Sequence, residues 1–175
     1  MTGVQTCALP ILFRNMGNKK TARFPVYKKV QGFDIFLRFT AAKCTGKLLE
    51  ITSMATNQFL RISLLKNGAV RVSYNTLRGR GQFDLSMPIK GSFCDGKRHV
   101  FSLNLYRGAV FYNADRSPYL RLYVSRLREP FSSPNKIVLG TELEGCISGS
   151  SVVNRFNRTE EHVLSMSAGC FVKSK

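Results

Sequence analysis

Along this 175-residue chain, apolar and polar side chains alternate with a period of two in segment after segment, the pattern of strands that bury one face. Phe33, Ile35, Leu37 and Phe39 share one face of a strand opened by Gly32. Leu60, Ile62 and Leu64 alternate with Arg61 and Ser63, and Val70, Val72 and Tyr74 alternate with Arg71, Ser73 and Asn75. A two-residue Asn67-Gly68 loop between these segments pairs Leu64 with Arg71 and mixes the faces. A three-residue loop, Lys66-Asn67-Gly68, pairs Leu64 with Val70, Ile62 with Val72 and Leu60 with Tyr74, with Gly68 in the left-handed position of a bulged turn. The second register is the one predicted. Phe101, Leu103 and Leu105 alternate with Ser102, Asn104 and Tyr106, and a turn at Arg107-Gly108 sets Leu105 opposite Val110 and Leu103 opposite Tyr112. Further strands are predicted over 83–87, 119–124, 136–139 and 146–153, and no helical stripe competes. Many short alternating strands punctuated by Gly, Pro, Asn and Ser describe an all-β antiparallel sandwich.

Composition narrows the setting. Hydrophobic content of 43% excludes disorder, the apolar runs are far too short to cross a bilayer, and the length suits one domain. Twenty-seven Lys and Arg against ten Asp and Glu give a net charge of +17, which repels itself unless a polyanion or anionic surface partly neutralises it. Nucleic acid, anionic membrane and sulfated glycan are the candidate partners. The cysteines are Cys7, Cys44, Cys94, Cys146 and Cys170, with no C-x-x-C and no His at zinc-ligand spacing. Four of them fit disulfides in an oxidising compartment. Cys44 and Cys94 lie in turn-like segments before strands, which leaves open a bond between them or two buried thiols. Residues 1–18 lack a basic stretch ahead of their apolar run, and Pro10 interrupts it, so they do not read as a signal peptide. The string Val-Gln-Thr-Cys-Ala-Leu-Pro-Ile resembles translated adapter DNA. The expectation is a non-native tail over 1–18 and one folded domain over 19–173.

Asp95-Gly96-Lys97-Arg98-His99, followed by the hairpin and closing on Asp115, resembles the D-G-x-W-H … V-D segment of laminin G-like domains, with Arg98 at the Trp position. Cys44-Thr-Gly-Lys-Leu-Leu-Glu-Ile is similar to the family's G-L-L segment, and Gly145-Cys146-Ile147 with the late Cys170 is similar to its disulfide-bonded G-C-I signature. The resemblance implies a jelly-roll-like, concanavalin-like sandwich with a Cys146–Cys170 bond. It further implies a secreted adhesion module of a larger matrix or cell-surface protein, most similar to the C-terminal domains of laminin alpha chains. Its partners would be heparan sulfate or other sulfated glycans, together with dystroglycan-type or integrin-type receptors, without nucleic acid or membrane insertion.

Several residues bear on chemistry. His99 and His162 are the only histidines, no catalytic partner can be placed beside either, and Asp34, Asp84, Asp95 and Asp115 read as scattered singly; a non-enzymatic role is expected. At the rim where the family holds calcium, this chain offers Asn57 or Gln58 and Glu129 or Asn135. Neutral ligands lower calcium affinity steeply, so no metal or other cofactor is favoured. The anion-binding candidates are Arg78 and Arg80, in a loop, with Arg116, Arg121, Arg126 and Arg128. Arg121 should point outward from its strand, and guanidinium groups match sulfate through bidentate hydrogen bonds. Asn157-Arg158-Thr159 is an N-glycosylation sequon. Two other functions compete. A lectin-like sandwich for uncharged carbohydrate needs a pocket of aromatic and amide residues that the sequence does not locate. A basic nucleic-acid-binding domain would show motifs absent here.

Overall fold

The strand Phe59–Leu64 (β4) and the strand Val70–Thr76 (β5) pair as their side chains dictate, with Leu64 opposite Val70, Ile62 opposite Val72 and Leu60 opposite Tyr74. The loop closes through the Leu65 N–H on the Ala69 carbonyl at 2.9 Å, and Gly68 sits at φ +79°. The second predicted hairpin also holds its register. Arg98–Tyr106 (β7) and Ala109–Ala114 (β8) set Leu105 opposite Val110 and Leu103 opposite Tyr112. Both turn residues between them adopt positive φ, Arg107 at +48° and Gly108 at +85°, the geometry that matches the right-handed twist of a hairpin.

The computed structural model describes residues 20–23, 30–53, 55–86, 91–128, 131–132, 136–155, 161–166 and 170–171. The predicted tail 1–18, Glu129, Asn135 and the sequon at Asn157 lie outside them. The remaining strands are β1 (Lys20–Arg23), β2 (Gly32–Ala41), β3 (Lys47–Thr52), β6 (Gly79–Leu85), β9 (Leu120–Tyr123), β10 (Lys136–Thr141), β11 (Gly145–Arg155), β12 (Glu161–Met166) and β13 (Cys170–Phe171), with one 3₁₀ turn, η1 (Ser125–Leu127). They form two antiparallel sheets. One runs β1-β10-β3-β4-β5-β6; the other runs β12-β11-β2-β7-β8-β9, with β13 also on β11. Among the described residues no helix is long and apolar enough to cross a membrane.

The alternating faces meet between the sheets. Phe33, Ile35, Leu37 and Phe39 of β2 and Phe101, Leu103 and Leu105 of β7 are buried in one cluster with Leu60, Ile62, Val72 and Ile137 of the other sheet. Removing so much apolar surface from water is the dominant stabilising term, each fully buried Leu or Phe contributing about 1.5–3 kcal/mol.

Three strand expectations change. β6 begins at Gly79 and ends at Leu85, rather than spanning 83–87, because β5 stays paired through Thr76 and only Leu77 and Arg78 are left for the turn. Arg80 is therefore a strand residue opposite Asn75, not part of a loop. The 119–124 strand shrinks to Leu120–Tyr123 at a sheet edge, where Leu120 and Tyr123 stay exposed.

Candidate functional site

The two ends of the sandwich carry different chemistry. At one end the β5–β6 turn, the β7–β8 turn and η1 come together. Thr76 organises this corner: its hydroxyl accepts the Arg78 N–H at 3.2 Å and lies within donating distance of the Gly79 and Arg126 carbonyls, at 3.3 and 3.1 Å. The Arg126 guanidinium reaches back and donates to the Arg80 carbonyl at 2.7 Å. Leu127, fully buried in the core cluster, anchors η1. The Val124 N–H, donating to the Gly108 carbonyl at 2.8 Å, ties the same segment to the β7–β8 turn.

Residues from the β5–β6 hairpin (Arg78 and Arg80) and from η1 and its C-cap (Arg126 and Arg128), distant in sequence, thus share one rim. Arg121 lies close by on β9, opposite Phe111, with its guanidinium carbon 5.4 Å from that ring's centroid. It points outward as its alternation predicts. Arg80, Arg121, Arg126 and Arg128 have no carboxylate partner among the described residues. Other cations are neutralised locally. Arg61 and Lys47 are held by Glu50, at 2.6 and 3.3 Å, and Arg71 forks onto Asp84 at 2.7 and 2.9 Å.

Arg116 does not join this group. It follows β8 at the Ala114 end, whereas η1 follows β9 at the end where Tyr123 pairs with Ala109. The whole length of the β8–β9 hairpin separates them.

At that opposite end His99 is clamped. Its Nε2 lies 2.9 Å from Asp95 Oδ1 and its Nδ1 lies 3.0 Å from Asp115 Oδ2, with the ring packed against Phe39 and Phe93. The expectation that His99 lacks a partner, and that Asp95 and Asp115 stand alone, is therefore wrong. The hairpin register that places Leu103 opposite Tyr112 also brings Asp115 beside Val100, whose N–H donates to Asp115 Oδ1 at 2.9 Å. Asp95 is held below its ordinary value of 3.8: burial pulls it up, but the Lys97 N–H and His99 outweigh that. With both ring nitrogens occupied and the residue only 4% exposed, this arrangement fixes a corner rather than presenting a reactive group.

The same end settles the first cysteine pair. Cys44 and Cys94 are disulfide-bonded with their Cα atoms 5.2 Å apart, so the reading as two buried thiols is set aside. Cys146 is also disulfide-bonded, and across β11 and β13 its Cα register partner is Cys170.

The proposed calcium rim is differently used. Gln58 is buried, and its Oε1 accepts the Ser132 N–H at 2.7 Å. That amide joins two loops by itself and does not present its oxygen to a cation. Asn57 is exposed at φ +56°, and its carbonyl accepts from Asn75 at 3.0 Å. Among the described residues no cluster of three or more His, Cys, Asp or Glu is arranged to hold a metal.

The two sheets form an antiparallel β-sandwich of the kind found in laminin LG domains and in a pentraxin. Mouse laminin alpha1 chain domains LG4-5 match at a TM-score of 0.60 and 12% identity, over 88% of this chain and 45% of that one. A laminin alpha2 chain LG1-3 region matches at 0.51 and 18%, over 88% and 28%. The chain thus spans less than half of either laminin structure. A native heptameric SAP-like pentraxin from Limulus polyphemus matches at 0.60 and 13%, over 90% of this chain and 91% of that one. No protein-family model matches the sequence.

Proposed function

We propose that this domain is an extracellular binding module that holds sulfated glycans, of the heparin and heparan sulfate type, on the arginine rim. The observation that carries the reading is the Arg126–Arg80 hydrogen bond, with the Thr76 contacts beside it, which gathers Arg78, Arg80, Arg126 and Arg128 on one edge of a chain of net charge +17. The Cys44–Cys94 bond supports an oxidising compartment, where sulfated glycan is the abundant polyanion. Dystroglycan-type or integrin-type receptors are further partners consistent with a laminin-like sandwich. Arg121, already stacked on Phe111, extends the rim onto the neighbouring sheet.

Heparin chromatography tests this. Arg121, Arg126 and Arg128 changed together to Ser should elute at clearly lower salt than Lys47, Arg61 and Arg71 changed together, although each set removes three positive charges. Each lost contact forgoes the release of condensed counterions, a relation established for nucleic acids and applied here to another polyanion. Equal elution would reduce the interaction to bulk charge.

A further inference from the structure

β9 borders the β2-containing sheet, and among the described residues no strand lies beyond it. Register decides which of its backbone groups face outward. The two-residue turn at Arg107-Gly108 makes Tyr106 and Ala109 a hydrogen-bonded pair, so Ala109 and, two residues on, Phe111 direct their backbone groups to β7. The next ladder is out of phase with that one: the Val124 N–H donates to the Gly108 carbonyl at 2.8 Å, and Leu122 and Leu120 face β8 in the same phase. Arg121 and Tyr123, which alternate with them, turn N–H and C=O away from β8 to the border. Both sides of the strand are open there. Leu120, opposite the buried Tyr112, is 38% exposed on the core-facing side, and Tyr123, whose ring lies against Gly108 on the other side, is 59% exposed.

Backbone and charge together select the occupant. N–H and C=O groups repeated two residues apart are matched by an extended peptide, which adds a strand to such a border; a sulfated glycan can reach Arg121 but has no matching ladder. Arg116 precedes β9, Arg121 lies on it, and Arg126 and Arg128 follow it. From Ala109 to Arg128 the only Asp or Glu is Asp115, already engaged by His99 and the Val100 N–H. A second copy of the chain, itself of net charge +17, would set one Arg121 beside another, and like charges across a strand pair repel. We propose that β9 is a docking edge for an extended acidic peptide of another protein, added antiparallel, the pairing that both sheets use and the more stable per residue. Side chains directly opposite share a face, so the peptide carries an acid opposite Arg121, an aromatic ring opposite Tyr123 and apolar residues opposite Leu122 and Leu120. Along the peptide the order is aromatic, apolar, acidic, apolar. The proposal does not rest on glycan binding at the arginine rim.

The experiment is amide NMR and hydrogen exchange on the full chain, uniformly ¹⁵N-labelled, with the synthetic peptide acetyl-Glu-Phe-Val-Glu-Val-Glu-amide. Controls are the scrambled acetyl-Phe-Glu-Glu-Val-Val-Glu-amide and a form of the first peptide with its central Glu replaced by Lys. In the free chain the Arg121 and Tyr123 amides should exchange faster than that of Leu122. The peptide at about ten times its Kd should shift them and slow their exchange about tenfold. Tyr123→Pro removes an outward donor and leaves the pairing with β8, a position where an edge strand accepts Pro; it should weaken the peptide about tenfold or more with heparin elution unchanged. Arg121→Glu should weaken the peptide by a similar factor and bind the Lys-containing form more tightly than the parent chain does, which decides the matter even where Tyr123→Pro does not fold. The proposal is overturned if Arg121 and Tyr123 are already as protected as Leu122 in the free chain, if the scrambled peptide binds equally well, if the shifts spare residues 120–123, if the charge swap restores nothing, or if sedimentation shows a second copy of the chain seated on this edge.

Discussion

His99 is the side chain whose neighbours matter most to the corner it occupies. Removing it leaves two carboxylates facing each other across a cavity beside Phe93. His99→Ala should therefore cost about 2–4 kcal/mol in chemical denaturation; a loss below about 1 kcal/mol would mean the clamp holds nothing. Its acid partner Asp95 is joined in pH dependence by Glu50, which also sits below its ordinary value, 4.5, because Arg61 and Lys47 outweigh the upward pull of burial. A carboxyl whose folded pKa is lowered contributes stability that is present above its unfolded pKa and lost as pH falls through the folded one. The melting temperature should fall as pH drops below about 4, and Asp95→Asn with Glu50→Gln should flatten that decline. A parallel decline in the double variant would place the acid sensitivity elsewhere. The clamp was within reach of the sequence, because the register that sets Phe101 opposite Ala114 puts Asp115 next to His99.

Strands with strict alternation were legible, as β2, β4, β5, β7 and β8 show, because one buried face per strand leaves a period that chance rarely imitates. β3 was not placed as a strand. Leu48 and Leu49 are both buried around a register shift between Lys47 and Leu49, and a bulge breaks the period that would have announced it. β6 was misplaced because its alternation is muted: only Leu85 is fully buried. The sequence groups the six arginines as one candidate set, but neither the contact between Arg80 and Arg126, from elements far apart in sequence, nor the separation of Arg116 can be read without the strand pairing. Cysteine pairing belongs with these elements. The Cys44–Cys94 bond joins the β2–β3 connection to the segment before β7, closing a loop of sequence separation 50, which constrains the unfolded chain by about 4 kcal/mol. Non-reduced peptide mapping should find that bond and, as we propose from the β11–β13 register, a second between Cys146 and Cys170; a free thiol at either of the latter would remove it. Changing Cys44 and Cys94 together to Ser should lower stability by about 2–4 kcal/mol.

The sandwich as a whole separates an end fixed by the Cys44–Cys94 bond and the His99 clamp from an end where the hydrogen bonds of Thr76, Arg126 and Gln58 act beside the buried Leu127 and Phe131. With Gln58 bridging to Ser132, millimolar calcium should move the melting temperature by less than about 1 °C, because an ion stabilises only above its Kd for the folded state; a larger rise would reveal a site not formed by Gln58. The hydrogen bond from Arg126 to Arg80 has one more consequence, which concerns what the protein avoids. Among the described residues β6 closes its sheet with no strand beyond it, and such a border, with backbone groups facing outward, is a template on which a foreign strand can zip up. By covering the Arg80 carbonyl with a charged side chain, Arg126 occupies an acceptor at the start of that border, and a charge in that position disfavours the pairing of a second copy of the chain there.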